Sequence, residues 1–164
     1  RGNFDLNAHQ ESSGKDLRYF EAATESKFTP SVIEPAGGLT RTLFAVLLSL
    51  YEEEELENET RKLFKFNFDL APIQIGILPL SKKEELILVC NQINSSLRSS
   101  FRTEIDITQS IGKRYRRQDE IGTPYCVTVD FDTLEDNSVT VRSRDTMQQE
   151  RIKIEDLRDY FNNF

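Results

Sequence analysis

The chain has 164 residues, which is enough for one ordinary domain or two small ones. It is 37% hydrophobic and 30% charged, a composition too apolar for a disordered chain and too charged for a membrane protein. The longest apolar run, residues 43–51, is well short of the roughly 20 residues that cross a bilayer. The composition therefore predicts a soluble globular protein with no membrane partner.

The cysteine and histidine content limits the possible chemistry. The chain contains Cys90 and Cys126, with no CxxC pair, and its one histidine, His9, is far from both in sequence. We therefore expect neither a zinc site nor a disulfide framework, and the cytoplasm is the predicted location.

The net charge of −7 argues against non-specific coating of duplex nucleic acid, which depends on neutralising phosphates. Residues 1–70 carry eight Lys/Arg against thirteen Asp/Glu, whereas residues 71–164 carry thirteen against fifteen. The net charge does not exclude a local basic site, and the second part also contains the one dense basic run.

The sequence of the first part predicts a strand followed by a helix that has no polar face. After Pro30 an extended segment leads through two glycines into a helix over residues 39 to about 53, which is apolar on nearly every side. A helix without a polar face must be covered on several sides. Because the chain also begins abruptly at Arg1, we expect it to be the C-terminal piece of a longer protein. Residues 52–61, EEEELENETR, predict a solvated helix end plus loop, and residues 64–70 a short connecting strand that ends one domain.

The second part alternates strands and helices. The predicted elements are a buried strand 73–80, a helix 82–99 capped by Ser81, a strand 103–107, a short helix within 111–122, strands 125–131 and 138–144 joined by a hairpin turn, and a closing helix 154–161. This order predicts an α/β domain with a mixed sheet and helices on its faces.

The first motif is VIEPAGGLTR, residues 32–41. Glu34 ends a predicted strand, two glycines turn the chain, and Arg41 lies in the first turn of the apolar helix. A carboxylate in such a turn can hold an ammonium group, and a guanidinium can bind polyphosphate or lie over an aromatic base. The alternative is a structural turn in which Glu34 and Arg41 only pair with each other.

The second motif is SIGKRYRRQDEIGTP, residues 110–124. Four cations surround one aromatic residue, which suits single-stranded RNA because bases stack on side chains while phosphates meet Lys and Arg. Two acidic residues follow and either accept hydrogen bonds from base edges or pair with the arginines. The alternative is a solvated helix face. The candidate residues are Lys113, Arg114, Tyr115, Arg116, Arg117, Asp119 and Glu120.

A third motif adds two cations on one strand. Arg142 and Arg144 share a strand face because side chains alternate with a period of two. They either extend the basic helix into one groove or form cross-strand ion pairs with an acidic turn around Glu135 and Asp136.

Taken together, the three motifs resemble the dimeric glycyl-tRNA synthetases, from the end of the catalytic domain to the C-terminus. The similarity covers essentially the whole chain, and its most specific pieces are residues 112–124 and 127–147. The resemblance implies that residues 1–70 are the C-terminal part of an antiparallel-sheet α+β class II catalytic domain. Residues 71–164 would be an anticodon-binding domain, a mixed five-stranded sheet with flanking helices. The implied partners are tRNA(Gly), glycine, ATP and a second copy of the chain.

The resemblance also implies residue roles. Arg41 would bind ATP, Glu34 the amino group of glycine, and Arg1 the substrate. Many members have a serine where this chain has Ala36, so one polar contact to glycine is missing. The tRNA anticodon would meet the basic groove, formed by the seven candidates of the second motif with Arg142 and Arg144.

The implied reaction has two steps and no covalent enzyme intermediate. Glycine attacks the α-phosphate of Mg²⁺-bound ATP, and the terminal ribose of the tRNA then takes the glycyl group. Motifs 1 and 2 of class II synthetases have no counterpart in these residues, so we expect no pyrophosphate exchange by this chain alone.

Two other functions remain alternatives. A non-catalytic nucleic-acid-binding module of the same fold would have no reason to keep both Glu34 and Arg41. A small nucleotide-binding α/β protein should have a glycine-rich phosphate loop after its first strand, where LPLSKKEE stands instead.

Overall fold

A computed structural model describes residues 1–57 and 59–164 of the chain. Contacts divide it into two compact units, Arg1–Thr42 and Leu43–Phe164. The first unit contains helix α1 (Phe4–Ser13), an antiparallel hairpin of β1 (Tyr19–Glu21) and β2 (Ser26–Phe28), and the start of helix α2 (Leu39–Leu50).

The run of glutamates forms a strand. Helix α2 ends at Leu50, and β3 (Tyr51–Leu56) pairs antiparallel with β4 (Glu59–Phe64). The prediction of a helix end plus loop was therefore wrong. The strand is favoured because Lys62 and Lys65 on or beside β4 form ion pairs with glutamates of β3, and opposite charges across a strand pair stabilise a hairpin. A connecting strand was predicted over 64–70, but Phe64 is the last residue of β4 and residues 65–70 form no strand.

The second unit is built on a five-stranded mixed sheet in the order β6-β5-β7-β8-β9. Strands β5, β6 and β7 are parallel, while β8 and β9 are antiparallel to their neighbours. This confirms the predicted mixed sheet with flanking helices. The elements are β5 (Ile75–Pro79), α3 (Glu84–Leu97), β6 (Thr103–Ile105), α4 (Ile111–Ile121), β7 (Tyr125–Val129), α5 (Thr133–Asp136), β8 (Ser138–Ser143), β9 (Gln149–Lys153) and α6 (Leu157–Phe161).

Two local predictions needed correction. The predicted hairpin turn between β7 and β8 is the short helix α5, which is followed by Asn137 at a φ of 52°. Strand β9 was not predicted, because its sequence QERIK has only one apolar residue and looks like surface. It pairs along the edge of β8, from Ser138↔Lys153 to Arg142↔Gln149.

The two faces of the sheet differ in chemistry. One face is apolar: alternate residues of β5, β7 and β8 form a core with α3 and α6, which includes Ile75, Ile77, Val127, Val129, Val139, Val141, Leu86, Cys90, Ile93, Leu97, Leu157 and Phe161. The opposite face carries Gly76, Cys126, Thr128 and Arg142, and α4 covers it with polar side chains. Arg114, Tyr115 and Asp119 of α4 form hydrogen bonds with the sheet.

Two glycines let α4 pack closely. A Cβ on Gly76 would come within 3.1 Å of the side chain of Gln118. Gly122 ends α4 in the left-handed region at a φ of 91°, and a Cβ there would lie 2.4 Å from the ring of Phe66. Glycine is required at such an end because it lacks the Cβ that clashes in this conformation.

The division between the two units falls before the predicted boundary near residue 70, because the β3–β4 hairpin packs against α4. The assignment of residues 1–70 and 71–164 to two functional domains stays a prediction. None of the described helices is long and apolar enough to cross a membrane.

Candidate functional site

The first motif lies in the first unit. Its residues 31–38 form an irregular segment, so the prediction of a strand ending at Glu34 was wrong. A 2.8 Å hydrogen bond from the Val32 amide to the Gly2 carbonyl ties this segment to the chain start. Glu34 and Arg41 are both exposed, and among the described residues no hydrogen bond or ion pair joins them. The structure thus does not support the alternative in which they only neutralise each other. Both charged groups are accessible to a ligand.

The other predicted glycine contacts lie in the same unit. Arg1 is exposed, and its Nε lies 3.1 Å from Oδ2 of Asp5, one helical turn along. Ala36 is exposed in the irregular segment.

The second motif forms the whole of α4, and the helix sorts its charged residues into two sets. Lys113, Arg116 and Glu120 are exposed, and Tyr115 and Arg117 are partly buried. Arg114 and Asp119 are buried, as is Gln118. The expectation of a single basic face is therefore corrected, because the helical period turns part of the motif toward the sheet and the hairpin.

Arg114 fastens the start of α4 to the sheet. Its guanidinium donates to the carbonyls of Thr108 at 3.1 Å, Gln109 at 2.8 Å and Pro79. Only 2% of the residue is exposed. Each of its three guanidinium nitrogens donates to a backbone carbonyl, so Arg114 positions the helix and does not lie on the surface.

Asp119 is the centre of a buried charge network. Its two carboxylate oxygens accept hydrogen bonds from Arg142 on β8 at 2.9 and 3.1 Å, and Oδ2 also accepts one from Nε of Arg61 at 2.9 Å. Arg61 continues to Glu54 at 2.7 Å and to the carbonyl of Arg144 at 2.7 Å. Burial by itself would raise the pKa of Glu54, but hydrogen bonds from Arg61 and Lys65 hold it below its ordinary value. The network joins the hairpin, α4 and β8.

The third motif is also turned inward. Arg144 donates to the carbonyls of Phe64 at 3.0 Å and Gly122 at 2.8 Å, and pairs with Asp145. The alternative in which Arg142 and Arg144 pair with Glu135 and Asp136 is not found among the described residues. Asp136 pairs instead with Arg151 on β9, at 3.2 Å.

Sequence reasoning missed Arg61. It lay within a segment predicted to be a loop, so nothing marked it as buried. The available signal was the alternation in ETRKLF, where Arg61 and Leu63 occupy one face of β4 and are both buried.

The accessible part of α4 forms an open depression of about 580 Å³, lined by Gln109, Gly112, Lys113, Arg116, Arg117 and Glu120. We call this surface the α4 face. Arg117 donates to Asp106 and, at 2.6 Å, to Thr108. Burial by itself would raise the pKa of Asp106, but hydrogen bonds from Thr108 and Arg117 hold it below the ordinary aspartate range. Arg117 is thereby held in place with one edge toward the depression.

Tyr115 lies at the border of the site, and the two cysteines lie outside its lining. The Tyr115 hydroxyl bonds to the Thr128 hydroxyl, its ring lies 4.9 Å from the guanidinium of Arg142, and burial raises its pKa. Cys90 and Cys126 are buried, and burial raises the pKa of each thiol to about 12. Neither is suited to be a nucleophile, because the thiolate is the reactive form.

The sheet and its polar helix define the class of the second unit. The family model described as the anticodon binding domain matches residues 74–164, and the chain belongs to that family. Two solved structures from Cryptosporidium parvum share the fold: a prolyl-tRNA synthetase complexed with halofuginone and AMPPNP, and the RNA binding domain of a threonyl-tRNA synthetase. The first is 26% identical with a TM-score of 0.57 and covers 62% of this chain and 22% of its own. The second is 26% identical with a TM-score of 0.55 and covers 60% and 25%.

Relatives in sequence extend over nearly the whole chain. The glycine–tRNA ligase of Corynebacterium efficiens is 48% identical over 165 residues, covering 98% of this chain and 36% of its own length. That of Clostridium beijerinckii is 53% identical over 161 residues, covering 98% and 34%. The resemblance to glycyl-tRNA synthetases is thus confirmed, and the chain spans about a third of the length of these relatives.

Proposed function

We propose that this chain is part of a glycine–tRNA ligase, in which residues 71–164 bind the anticodon region of tRNA(Gly) and residues 1–70 complete the catalytic domain. The similarity to ligases of that name over 98% of the chain supports the proposal. No finding supports the alternative of a non-catalytic module. The parent enzyme is a cytoplasmic homodimer in this proposal.

The observation that carries RNA binding is the α4 face. Lys113, Arg116 and Arg117 lie along one accessible side of the helix, beside a depression open enough for a loop of RNA. Cations on such a surface bind backbone phosphates. Glu120 on the same face is a hydrogen-bond acceptor for base edges, and Tyr115 lies at its border. The buried residues Arg114, Asp119, Arg142 and Arg144 act in this proposal by positioning α4.

Salt dependence tests this interface directly. In the full-length enzyme, the double variant Lys113→Ala with Arg116→Ala should weaken tRNA(Gly) binding. The slope of log affinity against log salt concentration should become less steep by about 0.7 for each single-strand phosphate that the variant no longer neutralises. Both residues are exposed, which makes them better probes than Arg114, whose removal would disturb folding. The matched control is Lys153→Ala, an exposed cation on the edge strand β9. An unchanged slope in the double variant would place the RNA elsewhere.

Glycine and ATP binding are proposed for the first motif. Glu34 would hold the ammonium group of glycine and Arg41 the triphosphate or adenine of ATP, with Arg1 nearby on the substrate. All three residues are exposed, and among the described residues Glu34 and Arg41 have no ion-pair partner. This fits the assignment. Mg²⁺ would accompany ATP and neutralise phosphate charge. Catalysis would rest on positioning and on charge stabilisation, with no covalent step on the protein.

Steady-state pyrophosphate exchange by the full-length enzyme tests separately whether Glu34 binds glycine and whether Arg41 binds ATP. Glu34→Gln should raise the KM for glycine at least tenfold with little change in the KM for ATP. Arg41→Ala should raise the KM for ATP at least tenfold with little change in the KM for glycine. Glu11→Gln, a neutralised exposed carboxylate on α1, is the control. A glycine KM that is unchanged in Glu34→Gln would exclude the assigned role.

A further inference from the structure

A small pocket lies where the base of the β3–β4 hairpin meets the last turn of α4. It has a volume of about 210 Å³ and is lined by Tyr51, Lys62, Leu63, Phe64 and Glu120. This volume is below the roughly 300–1,000 Å³ of pockets that take drug-sized ligands, so the pocket suits a smaller molecule. Of the five lining residues, only Glu120 also lines the α4 face. We call this pocket the aromatic pocket.

Two rings form the main walls of the aromatic pocket. Tyr51 and Phe64 are register partners across the hairpin, and their rings pack edge to face with centroids 5.6 Å apart. Leu63 is buried beside them, whereas Tyr51 remains 42% exposed. Part of the Tyr51 surface is therefore available to a ligand.

The polar groups around the rings leave one charge for a ligand. The Tyr51 hydroxyl donates to Glu53, and the Lys62 ammonium lies 3.7 Å from the same carboxylate. The Glu120 carboxylate, by contrast, has no hydrogen bond or ion pair among the residues that the structure describes. A ligand in the aromatic pocket therefore meets two rings and one carboxylate that no other group neutralises.

We propose that the aromatic pocket binds a small organic ammonium ion, with its apolar body against Tyr51 and Phe64 and its charge on Glu120. A cation over an aromatic face is attracted by the ring quadrupole, and a charge-assisted hydrogen bond to a carboxylate adds to this attraction. A neutral ligand of the same shape lacks both contributions.

The ligand should also oppose RNA binding. Glu120 belongs to both the aromatic pocket and the α4 face, so a bound ammonium ion occupies an acceptor that the proposed function assigns to base edges. This competition rests on the proposed function, whereas the ligand site itself does not.

Calorimetric titration of the full-length enzyme tests the site with two probes of similar shape: benzylamine, which is protonated at neutral pH, and the neutral benzyl alcohol. Benzylamine should bind about tenfold or more tightly than benzyl alcohol. Glu120→Gln removes the charge and should abolish most of that preference. Tyr51→Leu should weaken benzylamine binding about fivefold or more, while Tyr51→Phe keeps the ring and should bind like wild type. Glu135→Gln, at an exposed carboxylate of α5, is the matched control and should keep the preference.

Equal binding of the two probes would refute the site, as would benzylamine binding that neither Glu120→Gln nor Tyr51→Leu changes. At constant ionic strength, saturating benzylamine should weaken tRNA(Gly) binding by wild type but not by Tyr51→Leu. An unchanged tRNA affinity of wild type would refute the competition at Glu120. Absence of the salt effect of Lys113→Ala with Arg116→Ala would refute the RNA interface, and benzylamine binding to the free enzyme would still support the site.

Discussion

Arg142 holds Asp119 by two nearly parallel hydrogen bonds, 2.9 Å from Nη1 to Oδ1 and 3.1 Å from Nη2 to Oδ2. The pair joins β8 to α4 beneath the surface, and Arg61 adds the β3–β4 hairpin through the same carboxylate. Because one acidic group serves two buried guanidinium groups, the rotation of α4 about its axis is fixed by this contact. The direction in which Lys113, Arg116 and Arg117 project follows from that rotation.

Removing the shared carboxylate should be strongly destabilising. Asp119→Ala leaves the buried Arg142 without a carboxylate partner and Arg61 with Glu54 alone. Breaking a buried pair costs about 3–5 kcal/mol. Urea unfolding followed by circular dichroism measures the decrease in stability. The neighbouring exposed Glu120→Ala should change the free energy of unfolding by no more than about 0.5 kcal/mol. Equal effects of the two substitutions would show that the network contributes no net stability.

The glycines at the two ends of α4 should respond to substitution by alanine with opposite signs. Gly122→Ala should destabilise by about 2–4 kcal/mol, because its φ of 91° disfavours a side chain and the new Cβ would lie 2.9 Å from the Phe64 carbonyl and closer still to the Phe66 ring. Gly112→Ala, at a helical position with no atom within 4 Å of a Cβ, should stabilise by up to about 1 kcal/mol. Thermal unfolding midpoints compare them, and a stable Gly122→Ala variant would contradict the observed packing at this helix end.

The sequence predicted the mixed sheet well, because buried strands such as β5 and amphipathic helices such as α3 have simple apolar patterns. It could not predict which charges of α4 face inward. Arg114 bonds to Pro79, 35 residues away, and Asp119 to Arg61, 58 residues away. The local pattern of apolar and polar residues cannot predict contacts over such distances in sequence. The glutamate strand was missed for the same reason, since its stabilising cations come from the following strand.

Asp106 should contribute a pH-dependent part of the stability. Its pKa lies below the ordinary aspartate range in the folded protein, so the folded state binds its proton more weakly than the unfolded state. The stabilisation is fully present above about pH 4 and is lost as pH falls through the folded-state value. The free energy of unfolding should therefore fall less steeply below pH 4 in Asp106→Asn than in wild type. Asp156→Asn, at an exposed carboxylate before α6, is the control. Identical acid slopes in wild type and Asp106→Asn would contradict this assignment.

Glu59 should compete with RNA phosphate for Arg116. Its carboxylate forms an ion pair with that guanidinium across the hairpin and α4, and about two-fifths of each side chain is exposed, so the pair is open to exchange. Glu59→Gln in the full-length enzyme should strengthen tRNA(Gly) binding two- to fivefold at low salt, and the gain should shrink as salt screens the charges. In an Arg116→Ala background the same substitution should have little effect, since a double-mutant cycle isolates the coupling between the two side chains. Equal gains in both backgrounds would show that Glu59 acts on RNA through general repulsion rather than through Arg116.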